Sequence, residues 1–195
     1  MHISETKFEF VPPEDSTHIN PWKESFRQNH SGVHVRQGYN KMINSNPRKY
    51  KGRNHMYFDT IGRALTACDD LGMENPLIFV HTGTYHNEYV MIDSDVRLIG
   101  ASSGNVAENV IIERENESSV MFMEGAKSAY LGYVTIKFSP DITSSMPHKH
   151  YCLEVGQNCS PTVDHCIIRS SSNGTLNITL IRSLKIFLLV TWIFY

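Results

Sequence analysis

Three cysteines, Cys152, Cys159 and Cys166, recur at intervals of seven residues, with His148, His150 and His165 close by in sequence. Thiolate and imidazole are the donors of structural zinc, but zinc ligands usually come in close pairs of the C-x₂₋₄-C kind, and an even spacing of seven is not that pattern. The run HKHYC (148–152) could in principle titrate near neutrality or bind a metal. No carboxylate stands at a diagnostic spacing from it, and a solvated loop or partner-contact surface is the preferred reading. Asp69 and Asp70 form a carboxylate pair of the type that cleaves glycosides, yet neighbours on a helix diverge by about 100° and are poorly placed to flank one bond. No P-loop, dinucleotide fingerprint, nucleophile elbow or HExxH motif occurs. The expectation is a chain without catalytic, cofactor-binding or metal-ligating residues, whose cysteines fill a core.

The elements around these residues favour that expectation. Between Phe58 and Ser172 short apolar runs alternate with Gly, Asn, Asp, Ser and Pro: LIFVHTG, EYVMI, VRLIG, NVIIE, SVMFME, YLGYVTIKF, YCLEVG and VDHCIIR. Runs of this length and punctuation predict strands. One helix is expected in DTIGRALTACDDLG, with Ile61, Leu65 and Cys68 on one face, Asp59 at the N-cap and Gly72 ending it.

A repeat sets the architecture. SVMFMEGAKSAYLGYVTI lies without a gap over YCLEVGQNCSPTVDHCII at an offset of 32, pairing Val120 with Cys152, Met121 with Leu153, Met123 with Val155, Leu131 with Val163, Val134 with Cys166 and Ile136 with Ile168. A strand-turn-strand unit of this size cannot bury its inner face alone, so stacking into a solenoid is the expected solution. SPDITSSMPHKH is then a loop between stacked turns, and Gly83, Gly100, Gly125, Gly132 and Gly156 mark turns or close approaches. The expected fold is all-β: a short right-handed parallel β-helix, of the pectin-lyase-like solenoid kind, with an N-terminal capping helix.

The chain divides into three stretches: a polar lead-in over 1–57, the β-helix over 58–172 and a hydrophobic tail over 173–195. In the lead-in, Pro12, Pro13, Pro21 and Pro47 interrupt regular structure, and Trp22, Phe26, Tyr39 and Tyr50 are expected to pack onto the stretch after it. In the tail, the uncharged run 186–195 would span only about 15 Å as a helix, against about 30 Å for a bilayer core, so a membrane anchor is not expected. Sequence foreign to the preceding pattern is preferred there, although its β-branched and aromatic residues could instead cover the last coil. The net charge of −2 and a pI near 6.5, with Lys and Arg scattered among acids, exclude a nucleic-acid-binding stripe. The amino terminus lacks a secretory pattern. The four cysteines are therefore read as reduced, and the sequons at Asn29, Asn116, Asn158, Asn173 and Asn177 as unglycosylated.

The runs NPWKESF, GVHVRQGY, YFDTIGRAL, IFVHTGTY, RLIGAS, MEGAKSAYLGYVTIKFSPD and HKHYCLEVGQNCSPTVDHCIIRSS resemble the F-box only protein 11 family over about Val11 to Ser172. The resemblance implies the substrate-recognition part of a Skp1-cullin-F-box ubiquitin ligase, non-catalytic itself, with a β-helix that holds a protein substrate. The family carries its F-box ahead of the lead-in, so the chain reads as a piece lacking it, and the Skp1-cullin complex is a partner only of a fuller form. Nucleus and cytoplasm are the expected compartments. A β-helix that binds or processes carbohydrate is the alternative, resting on fold analogy alone.

Overall fold

The computed structural model describes residues 33–38, 56–101, 106–115, 117–139, 150–170, 176–178 and 185–188. Among these, fourteen strands pair and every pairing is parallel. Three ladders account for all of them.

Ladder A runs β2 (Met56–Phe58), β1 (Val33–Val35), β3 (Leu77–His81), β6 (Arg97–Ala101), β9 (Tyr130–Gly132), the first half of β12 (Thr162–Ser170) and β14 (Lys185–Leu188). Ladder B runs β4 (Gly83–His86), β7 (Val110–Arg114), β10 (Thr135–Phe138) and the second half of β12. Ladder C runs β5 (Val90–Ile92), β8 (Val120–Phe122), β11 (Leu153–Val155) and β13 (Leu176–Ile178). From β3 onward the chain visits A, B and C in turn and returns to A one position further along. Each visit is one circuit.

Alternation along each short strand explains why these segments are strands, because every second residue faces a shared interior. Ile78, Leu98, Leu131 and Val163 stack down ladder A; Tyr85, Ile112, Ile136 and Ile168 down B; Ile92, Phe122 and Val155 down C. All belong to one buried cluster. Burying each such aliphatic or aromatic side chain contributes about 1.5–3 kcal/mol. Tyr85 brings a hydroxyl into this core, and it lies 2.8 Å from the His81 carbonyl and 3.2 Å from that of Val35.

Helix α1 (Ile61–Asp70) packs on β1, β2 and β5 and turns Ile61, Ala64, Leu65 and Cys68 into the same cluster. Its N-cap is Thr60 rather than Asp59: the Thr60 hydroxyl accepts from Arg63 N at 3.3 Å from an extended backbone. The carboxylate of Glu88 accepts from Ile61 N (2.5 Å) and Gly62 N (3.3 Å), satisfying two more amides of the first turn. At the far end Gly72 adopts φ +61, and the bonds Gly72 N to Asp69 O and Met73 N to Cys68 O complete a Schellman motif. A second short helix, α2 (Val106–Asn109), leads into β7.

The ungapped repeat is half right. Leu131 faces Val163 and Ile136 faces Ile168, at the expected offset. In ladder C, however, Val120 pairs with Leu153 and Phe122 with Val155, an offset one residue longer. The corner 123–129 carries one residue more than its successor 156–161, which restores the offset by β9 and β12. A one-residue slip reverses inside and outside. Met121 and Met123, aligned with core residues in the sequence, therefore face outward, and Met123 is 41% exposed.

The true counterpart of Cys152 is Ser119. The Ser119 hydroxyl donates to Lys137 O (2.6 Å) and the Cys152 thiol to Arg169 O (2.9 Å), and Lys137 and Arg169 are themselves ladder partners. The same tie thus recurs one circuit on. Close approach explains two of the flagged glycines. A Cβ at Gly125 would lie 1.6 Å from Asp93 O, and one at Gly132 would lie 2.6 Å from the Tyr130 ring. The left-handed corners between ladders A and B, by contrast, are made by Tyr133 (φ 58) and His165 (φ 48), whose rings stack at 4.9 Å.

Two segments outside the expected β-helix contribute strands. The lead-in supplies β1 and β2, with Val33 and Val35 in the core. The tail supplies β13 on β11 and β14 on β12, so its backbone extends ladders C and A. Among the described residues no helix is long and apolar enough to cross a membrane.

Candidate interaction surface

Because every strand spends half its residues on the interior, function must be sought on the three outer faces. The outer row of ladder A is Tyr57, His34, Phe79, Ile99, Gly132 and Asp164. Its first members form an aromatic stack: His34 lies 4.8 Å from the Tyr57 ring and 5.3 Å from Phe79. His34 Nδ1 is 2.9 Å from His81 Nε2, so one imidazole donates and the other accepts. Burial, aided by the charge of Arg36, pushes His81 down to about 4, which keeps it neutral at physiological pH. Further along, the Tyr130 hydroxyl donates to Asp164 (2.7 Å), whose other oxygen meets His165 Nδ1 at 2.6 Å. This face is buried and internally satisfied over His34, Phe79 and Ile99.

Ladder B shows a charged row: His86, Glu113, Lys137 and Arg169. Glu113 meets Lys137 Nζ at 2.5 Å and His86 Nδ1 at 3.3 Å, and accepts from the Ser139 hydroxyl at 3.1 Å. Burial pushes the Glu113 carboxyl up, but the hydrogen bonds from Lys137 and Ser139 and the charges of Lys137 and His86 outweigh it, and the net direction is down.

Ladder C is different. Its outer row is Met91, Met121 and Glu154, with Met123 one step beyond, where its amide donates to Ile92 O at 2.8 Å. Tyr89, 49% exposed, sets its hydroxyl 3.1 Å from Met91 Sδ and carries the Arg114 guanidinium 5.1 Å over its ring. Arg114 is in turn paired with Glu117. Met91 also lines a groove of about 810 Å³ between α1 and residues 86–94, together with the apolar Leu65 and Tyr89 and the acidic Asp69, Asp70 and Asp93. Glu88 lines it as well. Burial raises its carboxyl above the ordinary value, against the two helix amides that favour the charge.

The residues that could have done chemistry are dispersed. Cys68, Cys152, Cys159 and Cys166 are all buried, and none is in a disulfide. Burial and the nearby Asp69 push Cys68 up to about 11, and burial pushes Cys166 up to about 12. The Cys159 thiol donates to Met123 O at 2.7 Å. His165 stands on the surface stacked on Tyr133, and His148 lies outside the described residues. Among the described residues no three of His, Cys, Asp and Glu gather as metal ligands. Asp69 and Asp70 are exposed near the end of α1, Asp69 within 3.5 Å of the Ser94 hydroxyl. The lead-in aromatics Trp22, Phe26, Tyr39 and Tyr50, and most of the 139–150 loop, also lie outside the described residues. The groove beside α1 was not expected from the sequence. The outward methionines Met121 and Met123 are likewise readable only once the ladder C register is known.

The three outer faces differ in chemistry, and similarity to a known protein bears on their role. The chain is similar to an F-box protein. That protein is F-box protein dre-1 of Caenorhabditis elegans, 31% identical over 189 aligned residues, which cover 89% of this chain. The chain spans about a fifth of that relative's length, 19%. No protein-family model matches the chain, and no solved structure matches it.

Proposed function

We propose that this chain is the protein-binding portion of a substrate receptor for a Skp1-cullin-F-box ubiquitin ligase, of the F-box only protein 11 kind, and that it is non-catalytic. The observation that carries the reading is the similarity to dre-1 across nearly the whole chain. The three parallel ladders around one core, which leave three outer faces, are compatible with it. In this reading the circuits form a right-handed parallel β-helix, the hand that parallel crossovers almost always take. The helix presents its outer faces to a protein to be ubiquitinated, in the nucleus and cytoplasm. Skp1 and cullin join only a form that also carries an F-box.

Fusion of the full chain behind a characterised F-box tests this. Reconstitution with Skp1, cullin, an E2 and ubiquitin should ubiquitinate a defined set of proteins that the F-box alone does not modify. Identical product sets with and without the chain, or selective binding of the chain to acidic glycans in place of proteins, would overturn the reading.

A further inference from the structure

The geometry points to the Met91–Met121–Met123 row and the adjoining α1 groove as a docking site for a basic, apolar peptide segment of a partner protein, an inference that rests on the receptor reading above. Three independent features converge there. Methionine side chains, unbranched and polarisable, adapt to varied apolar surfaces, and here three of them stand on the outer face of one ladder beside the half-exposed ring of Tyr89. Large exposed apolar groups in contiguous array mark interaction surfaces. The outer rows of the other two ladders offer nothing comparable, one being buried and aromatic, the other paired charge.

Shape is the second feature. Met91, the first member of the row, also lines the groove between α1 and 86–94, so the row and the groove adjoin at that residue.

Charge is the third, and it chooses the occupant. The groove holds Asp69, Asp70, Glu88 and Asp93 against Arg63 and His86, the latter already paired with Glu113, and the methionine row is flanked by Glu124 and Glu154. Arg114, the cation nearest to Tyr89, is already neutralised by Glu117. A segment whose Lys or Arg residues alternate with large apolar ones fits both demands: its apolar side chains lie on methionine and Tyr89, and its cations reach the acids around them. An acidic segment, nucleic acid or an anionic membrane meets the wrong sign of potential.

The full chain is titrated, by fluorescence anisotropy, against three labelled twelve-residue peptides: alternating Lys-Leu, alternating Glu-Leu and alternating Lys-Ser. The Lys-Leu peptide should bind at least about ten-fold more tightly than either of the others, a difference of about 1.4 kcal/mol. Met121→Asp and Asp93→Lys should each weaken it by about ten-fold, while Glu108→Lys, the same kind of charge reversal on α2, should not. Circular dichroism of each variant must match the parent, and Met121→Ala stands in should Met121→Asp unfold. Equal binding of the Lys-Leu and Glu-Leu peptides, or binding unchanged by both patch substitutions, would overturn the site. Substrate ubiquitination by the F-box fusion that survives Met121→Asp with the fold intact would also remove the groove while leaving the receptor function standing.

Discussion

Replacing Leu153 and Met121 by alanine, one at a time, measures the register of ladder C directly. The ungapped repeat puts these two residues at the same height and on the same face. In the structure Leu153 pairs with Val120 and points inward, 2% exposed, whereas Met121 pairs with Glu154 and points outward. Truncating a buried leucine removes its transfer free energy and leaves a cavity, about 2–5 kcal/mol in well-packed cores. Leu153 is flanked along its ladder by Val120 on one side and by the backbone of Leu176 on the other, so collapse around the cavity is partial and about 3 kcal/mol is the central expectation. Met121→Ala, on the outer face, should cost no more than about 0.5 kcal/mol. With a urea m-value of about 2 kcal/mol per molar, the Leu153 variant should unfold about 1.5 M earlier and the Met121 variant within about 0.3 M of the parent. Urea titration of the full chain followed by circular dichroism provides the assay. Equal shifts in the two variants, or a larger one for Met121, would refute the register and with it the outward methionine row.

Four further outcomes are expected. Gly125→Ala should lower the thermal midpoint more than any other exposed Gly→Ala change, because its Cβ has to displace the Asp93 carbonyl; a melt unchanged from the parent would deny that close approach. All four thiols should resist a thiol reagent at neutral pH and react only in denaturant, since burial both hides them and, for Cys68 and Cys166, pushes ionisation to about 11 and about 12. Glu113 has a folded-state value below its unfolded one, so its contribution is complete above the ordinary glutamate range and is lost as pH falls through the folded value. Thermal midpoints of the parent and Glu113→Gln should therefore differ at pH 7 and converge in acid. Thr60→Ala should destabilise α1 by about 1 kcal/mol and Asp59→Ala by much less, which a pair of denaturation curves can distinguish.

Much of this fold is legible in the sequence because its strands are short, apolar and punctuated. All eight runs between Leu77 and Arg169 contain strands, and the one strong helical period is α1. What escapes has identifiable causes. Met121 and Met123 are apolar yet face solvent, so hydropathy alone chose the wrong register in ladder C. Thr60 and Asp59 are both good caps, and only the backbone angle separates them. The left-handed corners carry Tyr133 and His165, held by ring stacking, where glycine is the residue that sequence patterns favour. Strand β1, VHV in sequence, alternates correctly but is surrounded by prolines and polar residues that argue for a lead-in. The interaction surface inherits these difficulties: the groove joins side chains from α1 with side chains from 86–94, a juxtaposition no local pattern contains.

The recurring bond from Ser119 to Lys137 O and from Cys152 to Arg169 O has a bearing on how such a chain can grow. Each bond pins the residue just ahead of a ladder C strand to the neighbouring circuit, beside the place where the backbone crosses from B to C. That crossing takes residues 87–89 in the first circuit, 115–119 in the second and 139–152 in the third. With its downstream side anchored, the crossing can lengthen without pulling the next strand out of line. Insertions should therefore accumulate at this one edge, so new contacts with other molecules can be acquired there while the stacked interior keeps its spacing.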